Sequence, residues 1–430
     1  SDIDFNGDTR FKGFGNGSMI STGFGGTFDG GGHSIHNLKL DMATYKADGD
    51  FDPSCPNGYN GLFNQLNPTA TVKNLNIAAD CSFDFNIFSG AIVAFNRGRV
   101  ENCRNYADVH GVSHNMGGIA GQLVGSGVAI GCYNAGSVIV GGYCAGGIVA
   151  ENLGLIERCQ NDGYIGAERY STLWPRLNQY RVGGIAGLSR GTILNCVNQG
   201  MISCLQQVGG IVGEATASGN TGEYASGSIV GCLSAGPVIC TGQTYDTRGA
   251  ILGKIGSVKE ISGNVYDCSV LTDGSVQNCA NIGCTPLTTD RLTSGNVPEL
   301  AADSLFTVKA GVYPVLAQFA SETRSQVMSS TYPCFAGKTS RLNAGASLQL
   351  ASHQSADWSL LHGNGFTLAG ATLTASLPDA ADFVADTLRV KIADIRLKDY
   401  PVQSIRKVFD GEGTAGSPYL ISDNEDMLKL

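Results

Sequence analysis

The chain has 430 residues, of which 42% are apolar and 15% charged, and it carries a formal net charge of −9. That balance leaves no electrostatic footprint for nucleic acid or an anionic membrane, and no apolar run reaches the length of a membrane-spanning helix. Glycine, at 60 residues, is about twice its usual share of roughly 7%, so the fold must consume glycine in quantity.

The chain opens at Ser1 without a signal-peptide pattern, as expected of a processed protein or an excised piece. Asp2-Ile3-Asp4-Phe5-Asn6-Gly7 matches the start of a calcium loop only superficially, because Gly13 stands where the closing acidic ligand is required. A strand followed by a turn is the better reading. Residues 41–60, with Pro53, Cys55 and Pro56, read as an excursion from the first coil.

From Gly61 two signatures recur in phase. The first is Gly61-Leu62-Phe63, Gly90-Ala91-Ile92, Gly117-Gly118-Ile119, Gly146-Gly147-Ile148, Gly183-Gly184-Ile185, Gly209-Gly210-Ile211 and Gly249-Ala250-Ile251, at separations of 29, 27, 29, 37, 26 and 40 residues. The second is Asn102-Cys103-Arg104-Asn105, Cys132-Tyr133-Asn134, Cys159-Gln160-Asn161, Asn195-Cys196-Val197-Asn198, Cys232-Leu233-Ser234 and Asn278-Cys279-Ala280-Asn281, with Asn74-Leu75-Asn76-Ile77 as an earlier rung. An internal repeat of this length means a solenoid. Short alternating bursts such as Val138-Ile139-Val140, interrupted by glycine, argue strands and tight turns rather than helices. A parallel β-helix follows, with each strand pairing one coil up at about 4.8 Å.

In such a stack the paired glycines serve positive φ or close backbone approach. The Asn two places after each Cys forms an amide ladder, and the cysteines stack inside as small hydrophobes. Fourteen cysteines could instead signal disulfides, and Cys204 with Cys240 is the first pair to test for a bridge across coils. The absence of C-x-x-C, and of histidine at ligand spacing, argues against zinc.

The repeats, and the opening Phe24-Gly25-Gly26-Thr27-Phe28-Asp29-Gly30-Gly31-Gly32-His33-Ser34-Ile35-His36-Asn37-Leu38, resemble the GLUG-motif β-helices of bacterial surface proteins and of the N-terminal regions of IgA1-protease-type metallopeptidases. The resemblance spans residues 1–319 and implies a right-handed parallel β-helix, ended by a tail of the Tyr-Pro-x-Leu kind at Tyr313-Pro314-Val315-Leu316. One short helix is expected around Pro298-Glu299-Leu300-Ala301-Ala302.

Two outgrowths break the spacing. Residues 167–181 bring Tyr170, Trp174, Arg176, Tyr180 and Arg181, types enriched at contact hot spots, and solenoid insertions often mark a binding face. The alternative is a loop folded back on the flank. Residues 214–226 are rich in Ala, Ser and Gly.

Residues 320–408 carry alternating runs at about ten-residue spacing, from Leu348-Gln349-Leu350 to Leu388-Arg389-Val390-Lys391-Ile392, the signature of a small β-sandwich. They resemble bacterial Ig-like domains, with Trp358 a core candidate. The fold class is therefore all-β, a solenoid followed by a sandwich. Residues 409–430, containing Phe409, Tyr419-Leu420-Ile421 and the capping box from Ser422 to Glu425 ahead of Met427-Leu428, resemble the start of a GLUG module. They supply the strand and capping helix that precede the stretch holding Ile3 and Phe5.

An uncapped solenoid exposes strand edges, so head-to-tail joining is expected, through Phe409, Tyr419, Leu420, Ile421, Met427 and Leu428 on one unit and Ile3 and Phe5 on the next. A heterologous contact of that kind gives filaments. Catalysis is not expected. No H-E-x-x-H or G-x-S-x-G occurs, His110 and His114 lie in strand and turn, and the acidic residues Glu101, Glu151, Glu157, Asp162, Glu168 and Glu214 read as scattered singly. No catalytic, cofactor or metal residue is assigned. The expectation is a secreted or cell-surface structural and adhesive protein, self-associating and open to a host or matrix glycan or protein ligand. The alternative is a glycan-binding or polysaccharide-degrading solenoid.

Overall fold

The computed structural model describes residues 1–11, 13–14, 23–41, 59–111, 113–167, 180–216, 227–240, 248–268, 283–300, 304–310, 312–322, 340–345, 347–349, 357–370, 372–378, 383–392 and 395–405. The chain divides into two compact units, Ser1–Ser329 and Ser330–Leu430. The segment 409–430 assigned to joining lies outside the described residues, as do Cys279 and most of the outgrowths.

Unit one is a parallel β-solenoid. A complete coil gives a short strand to each of five parallel strips, and the end coils to fewer. The coil after Phe88 shows the scheme, with strands Ser89–Gly90, Val93–Asn96, Arg99–Glu101, Arg104–Asn105 and Asp108–Gly111. Each pairs in register with its equivalent one coil on, for example Val93 with Ala120 and Arg104 with Tyr133. Apolar side chains alternate inward, so Val72, Val100, Ala129, Ile156 and Ile193 form one fully buried column.

The two sequence signatures are two sides of one contact. Asn105 Nδ2 donates to Asn134 Oδ1 at 2.9 Å, Asn134 to Asn161 at 2.8 Å and Asn161 to Asn198 at 2.8 Å. Each amide also donates to the carbonyl two residues on in its own coil. The second glycine of each pair lies against this ladder. A Cβ on Gly147 would stand 2.2 Å from the Gly184 carbonyl oxygen and 2.3 Å from Asn161 Cγ, and Gly118 and Gly184 meet the same conflict. Close approach, not positive φ, is what these glycines serve.

The expected thiol column is present. Cys103, Cys132, Cys159, Cys196 and Cys232 are fully buried, no described cysteine is joined in a disulfide, and burial pushes the Cys103 thiol up to about 12. Beyond Cys232 the register runs through Asn264 and then Cys284, which corrects the placement of Cys279 as the next rung. Asn264 takes over with its amide, accepting from Cys232 N at 2.9 Å and donating to Ile229 O at 2.8 Å. Cys204 and Cys240 do stand opposite each other in adjacent coils, but without a disulfide between them, and Cys240 Sγ donates to Leu205 O at 3.0 Å.

The residue before each cysteine position turns the corner at positive φ: Asn74 at 52°, Asn102 at 52°, Gly131 at 62°, Asn195 at 54°, Gly231 at 69° and Gly263 at 62°. Asn and Gly tolerate this region. Arg158, at 50°, is the exception. Its exposed bond to Glu157 at 3.2 Å is worth little, and the contact from Gln318 goes to its backbone oxygen. Arg158→Asn is therefore expected to stabilise the chain by about 0.5–1 kcal/mol, read as a rise in the urea midpoint at unchanged slope.

The tail after the coils straps one flank. Thr288 caps the four-residue helix Thr289–Leu292 through Arg291 N. The helix thus falls earlier than the one expected at Pro298, where Val297–Leu300 makes only a turn. The chain then runs back across the strip that carries the asparagines. Tyr313 donates to Asp267 at 2.6 Å, Gln199 Nε2 donates to Pro314 O at 2.9 Å and Leu316 N donates to Gln160 Oε1 at 3.3 Å. Phe319 packs on Tyr133 with centroids 5.2 Å apart, and Glu322 binds Arg104 and Tyr106. The strap thereby buries the outward apolar residues Tyr133, Val197, Leu233 and Val265.

Unit two holds two sheets. One orders Ser340–Asn343, Ile395–Ile405, Phe383–Ile392 and Asp357–Leu360, and the other Ser347–Gln349, Thr372–Ala375 and Phe366–Ala369. Phe366, Leu373, Ala375 and Leu388 are buried, whereas Trp358 is only half-buried. The Asp386 carboxylate accepts backbone N–H bonds from His362, Asn364 and Thr387. The strand Ile395–Ile405 was not read from the sequence, because Lys398, Asp399 and Pro401 break its alternation. Pro401 is accommodated just before pairing with the outer strand begins at Val402.

Candidate functional site

Of the residues expected to join units, Ile3 and Phe5 lie at the start of the solenoid. Ile3–Asp4 pairs only with Ser34–His36, so its other edge has no described partner strand. The end of the core is lined by an aromatic chain: Phe5 to Phe11 at 5.1 Å, Phe11 to Phe14 at 5.2 Å and Phe14 stacked on Phe63 at 5.0 Å, with Phe24 and Phe28 also against Phe63. Phe5 is partly buried against the core. Ile3 is 50% and Phe14 48% exposed, and they are the exposed large hydrophobics described in this unit. Phe14 gave no signal in the sequence beyond its glycine-rich surroundings. Phe409, Tyr419, Leu420, Ile421, Met427 and Leu428 lie outside the described residues.

Of the expected contact loop, Tyr170, Trp174 and Arg176 lie outside the described residues, while Tyr180 and Arg181 begin the strand Tyr180–Gly183. They belong to a longer array. His114, Tyr143 and Tyr180 stack ring on ring in successive coils, at 4.0 and 5.2 Å. The next residue in each coil, together with its equivalents in the flanking coils, is left-handed: Phe88 at 47°, Asn115 at 60°, Cys144 at 74°, Arg181 at 68° and Gln207 at 55°. Only Asn suits that region, so this corner holds backbone strain of the kind that collects at functional sites.

Beside it runs the outward row of the next strip, Gln122, Glu151, Leu188, Glu214 and Lys254 in register. Glu151 accepts from Gln122 Nε2 at 2.9 Å and from Arg190 Nη1. Glu214 accepts from Arg181 Nε at 2.5 Å and pairs with Lys254 at 3.0 Å. Burial works against ionisation of Glu214, but the bonds from Arg181 and Lys254 outweigh it and hold the carboxyl below its usual range. Burial pushes the His114 imidazole down to about 4, which leaves it neutral at pH 7.

The acidic residues are thus not scattered singly. Glu151 and Glu214 stand two coils apart in one row, and Glu101 and Glu157 do the same in the next strip. The outgrowth at 167–181 had hidden the alignment of Glu151 with Glu214. His110 lies in a strand and meets Asp84 at 2.8 Å, apart from the stacked His114. Among the described residues no group of three His, Cys, Asp or Glu side chains could hold a metal ion, and no helix is long and apolar enough to cross a membrane.

No protein-family model and no curated protein matches the sequence. Among solved structures, the crystal structure of a "putative immunoglobulin A1 protease" from Bacteroides ovatus is similar at 18% identity. That match covers 74% of this chain and 84% of that one, with a TM-score of 0.41.

Proposed function

We propose that this chain is a secreted or surface-exposed structural and adhesive β-solenoid protein whose copies join head to tail. In this reading the repeats are of the GLUG type, the second unit is an Ig-like spacer, and residues 409–430 of one copy add a strand and cap to the first coil of the next. The observation that carries the proposal is the first coil itself: a strand edge at Ile3–Asp4 with no partner strand among the described residues, beside exposed Ile3 and Phe14. Apolar side chains next to an unpaired edge are what strand addition uses.

The charged face at Glu151 and Glu214 supports a mechanical rather than a catalytic role. Its carboxylates are each held by cationic partners, Glu151 by Arg190 and Glu214 by Arg181 and Lys254. The amide ladder and the flank strap give the rod its stiffness.

The test is sedimentation velocity and negative-stain electron microscopy on the full chain. Wild type is expected to form concentration-dependent end-to-end rods, and the Ile3→Asp and Phe14→Asp variants single short ones. A wild type that stays a single rod at every concentration overturns the proposal.

A further inference from the structure

A groove of about 520 Å³ crosses the coils at the turn between the second and third strips. Its floor is glycine: a Cβ on Gly154 would lie 2.0 Å from the Gly127 carbonyl, on Gly191 2.2 Å from that of Gly154, and on Gly227 1.8 Å from that of Gly191. The coil stacking dictates those glycines, so they alone say nothing about a ligand. The walls do.

Ser126, Thr192 and Ser228 supply hydroxyls, Val128, Leu153 and Leu155 supply apolar surface, and Arg190 and Lys259 supply positive charge. Among the described residues no carboxylate lines the groove, although the whole chain carries −9. Arg190 binds Glu151 through Nη1, outside the groove lining, while its buried Nε–H has no hydrogen-bond partner among the described residues. Lys259 is exposed.

We infer that this groove binds a linear acidic oligosaccharide. The volume lies in the range of small-ligand sites. A bare backbone floor lets a sugar ring approach closely, and Leu153 and Leu155 face its C–H surface. The serine and threonine hydroxyls match its hydroxyls, and the exposed Lys259 takes its carboxylates, with Arg190, already paired to Glu151, adding positive charge to the wall. One coil per about 4.8 Å repeats the glycine floor at a step comparable to the advance of one sugar ring, while the side chains above it differ from coil to coil. The site lies away from the first coil and is independent of head-to-tail joining.

The experiment is isothermal titration of the full chain with trigalacturonate and with its methyl-esterified, uncharged form. Trigalacturonate is expected to bind and to weaken at least about tenfold between low and high salt, as screened ion pairs require. The ester is expected to bind at least tenfold more weakly. Lys259→Glu should lose the binding, whereas Lys39→Glu, an exposed lysine on another strip, should keep it. No binding of trigalacturonate, equal binding of acid and ester, or equal losses in the two lysine variants would each overturn the inference. Leu155→Arg, which adds charge but blocks the apolar wall, gives a second check: it should weaken binding, and stronger binding would reduce the site to charge alone and sink it.

Discussion

Replacing Gly147 with alanine is expected to destabilise the solenoid by more than about 3 kcal/mol, at or beyond the upper end of overpacking costs. The new methyl would need space already taken by the Gly184 carbonyl oxygen at 2.2 Å and by the Asn161 amide at 2.3 Å. Neither can retreat cheaply. The carbonyl belongs to the next coil, held at its spacing by Ile148 N to Ile185 O at 3.1 Å and Val149 N to Ile185 O at 3.0 Å. The amide is fixed between its neighbours in the ladder. Relief would require separating the coils, with loss of backbone bonds on both sides.

Gly125→Ala is the contrasting variant. It lies at φ +58° with nothing within 4 Å of an added Cβ, so it carries only the left-handed penalty of about 1–2 kcal/mol. Because repeat proteins couple mainly neighbour to neighbour, the damage should be local. Hydrogen exchange should rise first in Val149–Asn152 and Ala186–Ser189. Equal melting temperatures for the Gly147 and Gly125 variants would show that the coils can part without cost.

The repeat was legible because a solenoid writes its structure into the chain once per coil. Gly-Gly and Cys-x-Asn recur in phase, and both the asparagine ladder and the buried thiol column follow from that phase alone. Why they travel together was not legible. Gly147 and Asn161 are separated in sequence by most of a half-coil, and only register shows that one exists to make room for the other. Register also governs what was missed. The row of Gln122, Glu151, Leu188, Glu214 and Lys254 is invisible in sequence because outgrowths of unequal length separate its members. The groove at Gly127, Gly154, Gly191 and Gly227 looks in sequence like ordinary turns. Conversely, the expected helix near Pro298 followed local propensity, whereas the chain spends that stretch docking Val297 and Leu300 onto the flank.

Asn161→Leu, which keeps the approximate shape and removes the amide, is expected to cost about 3–5 kcal/mol. It strands one Nδ2 hydrogen of Asn134, the Oδ1 of Asn198 and the Gly163 carbonyl, and each buried polar group left without its partner costs about 1–3 kcal/mol. The ladder makes a sharper prediction through a double-mutant cycle. Asn134→Leu alone strands a hydrogen of Asn105, the Oδ1 of Asn161 and the Gly136 carbonyl. In the double variant the Asn134–Asn161 bond disappears from both sides at once, so two of those six stranded groups no longer exist. The combined loss should therefore fall short of the sum by about 2–3 kcal/mol. Urea unfolding of the four chains measures it. Strict additivity would mean that the two amides stabilise the coils separately, each through its own carbonyl, and that the ladder between coils contributes nothing. A shortfall places part of the rod's stiffness in side-chain amides running along its axis, a column that stops where Ile77 and Ser234 take the asparagine position.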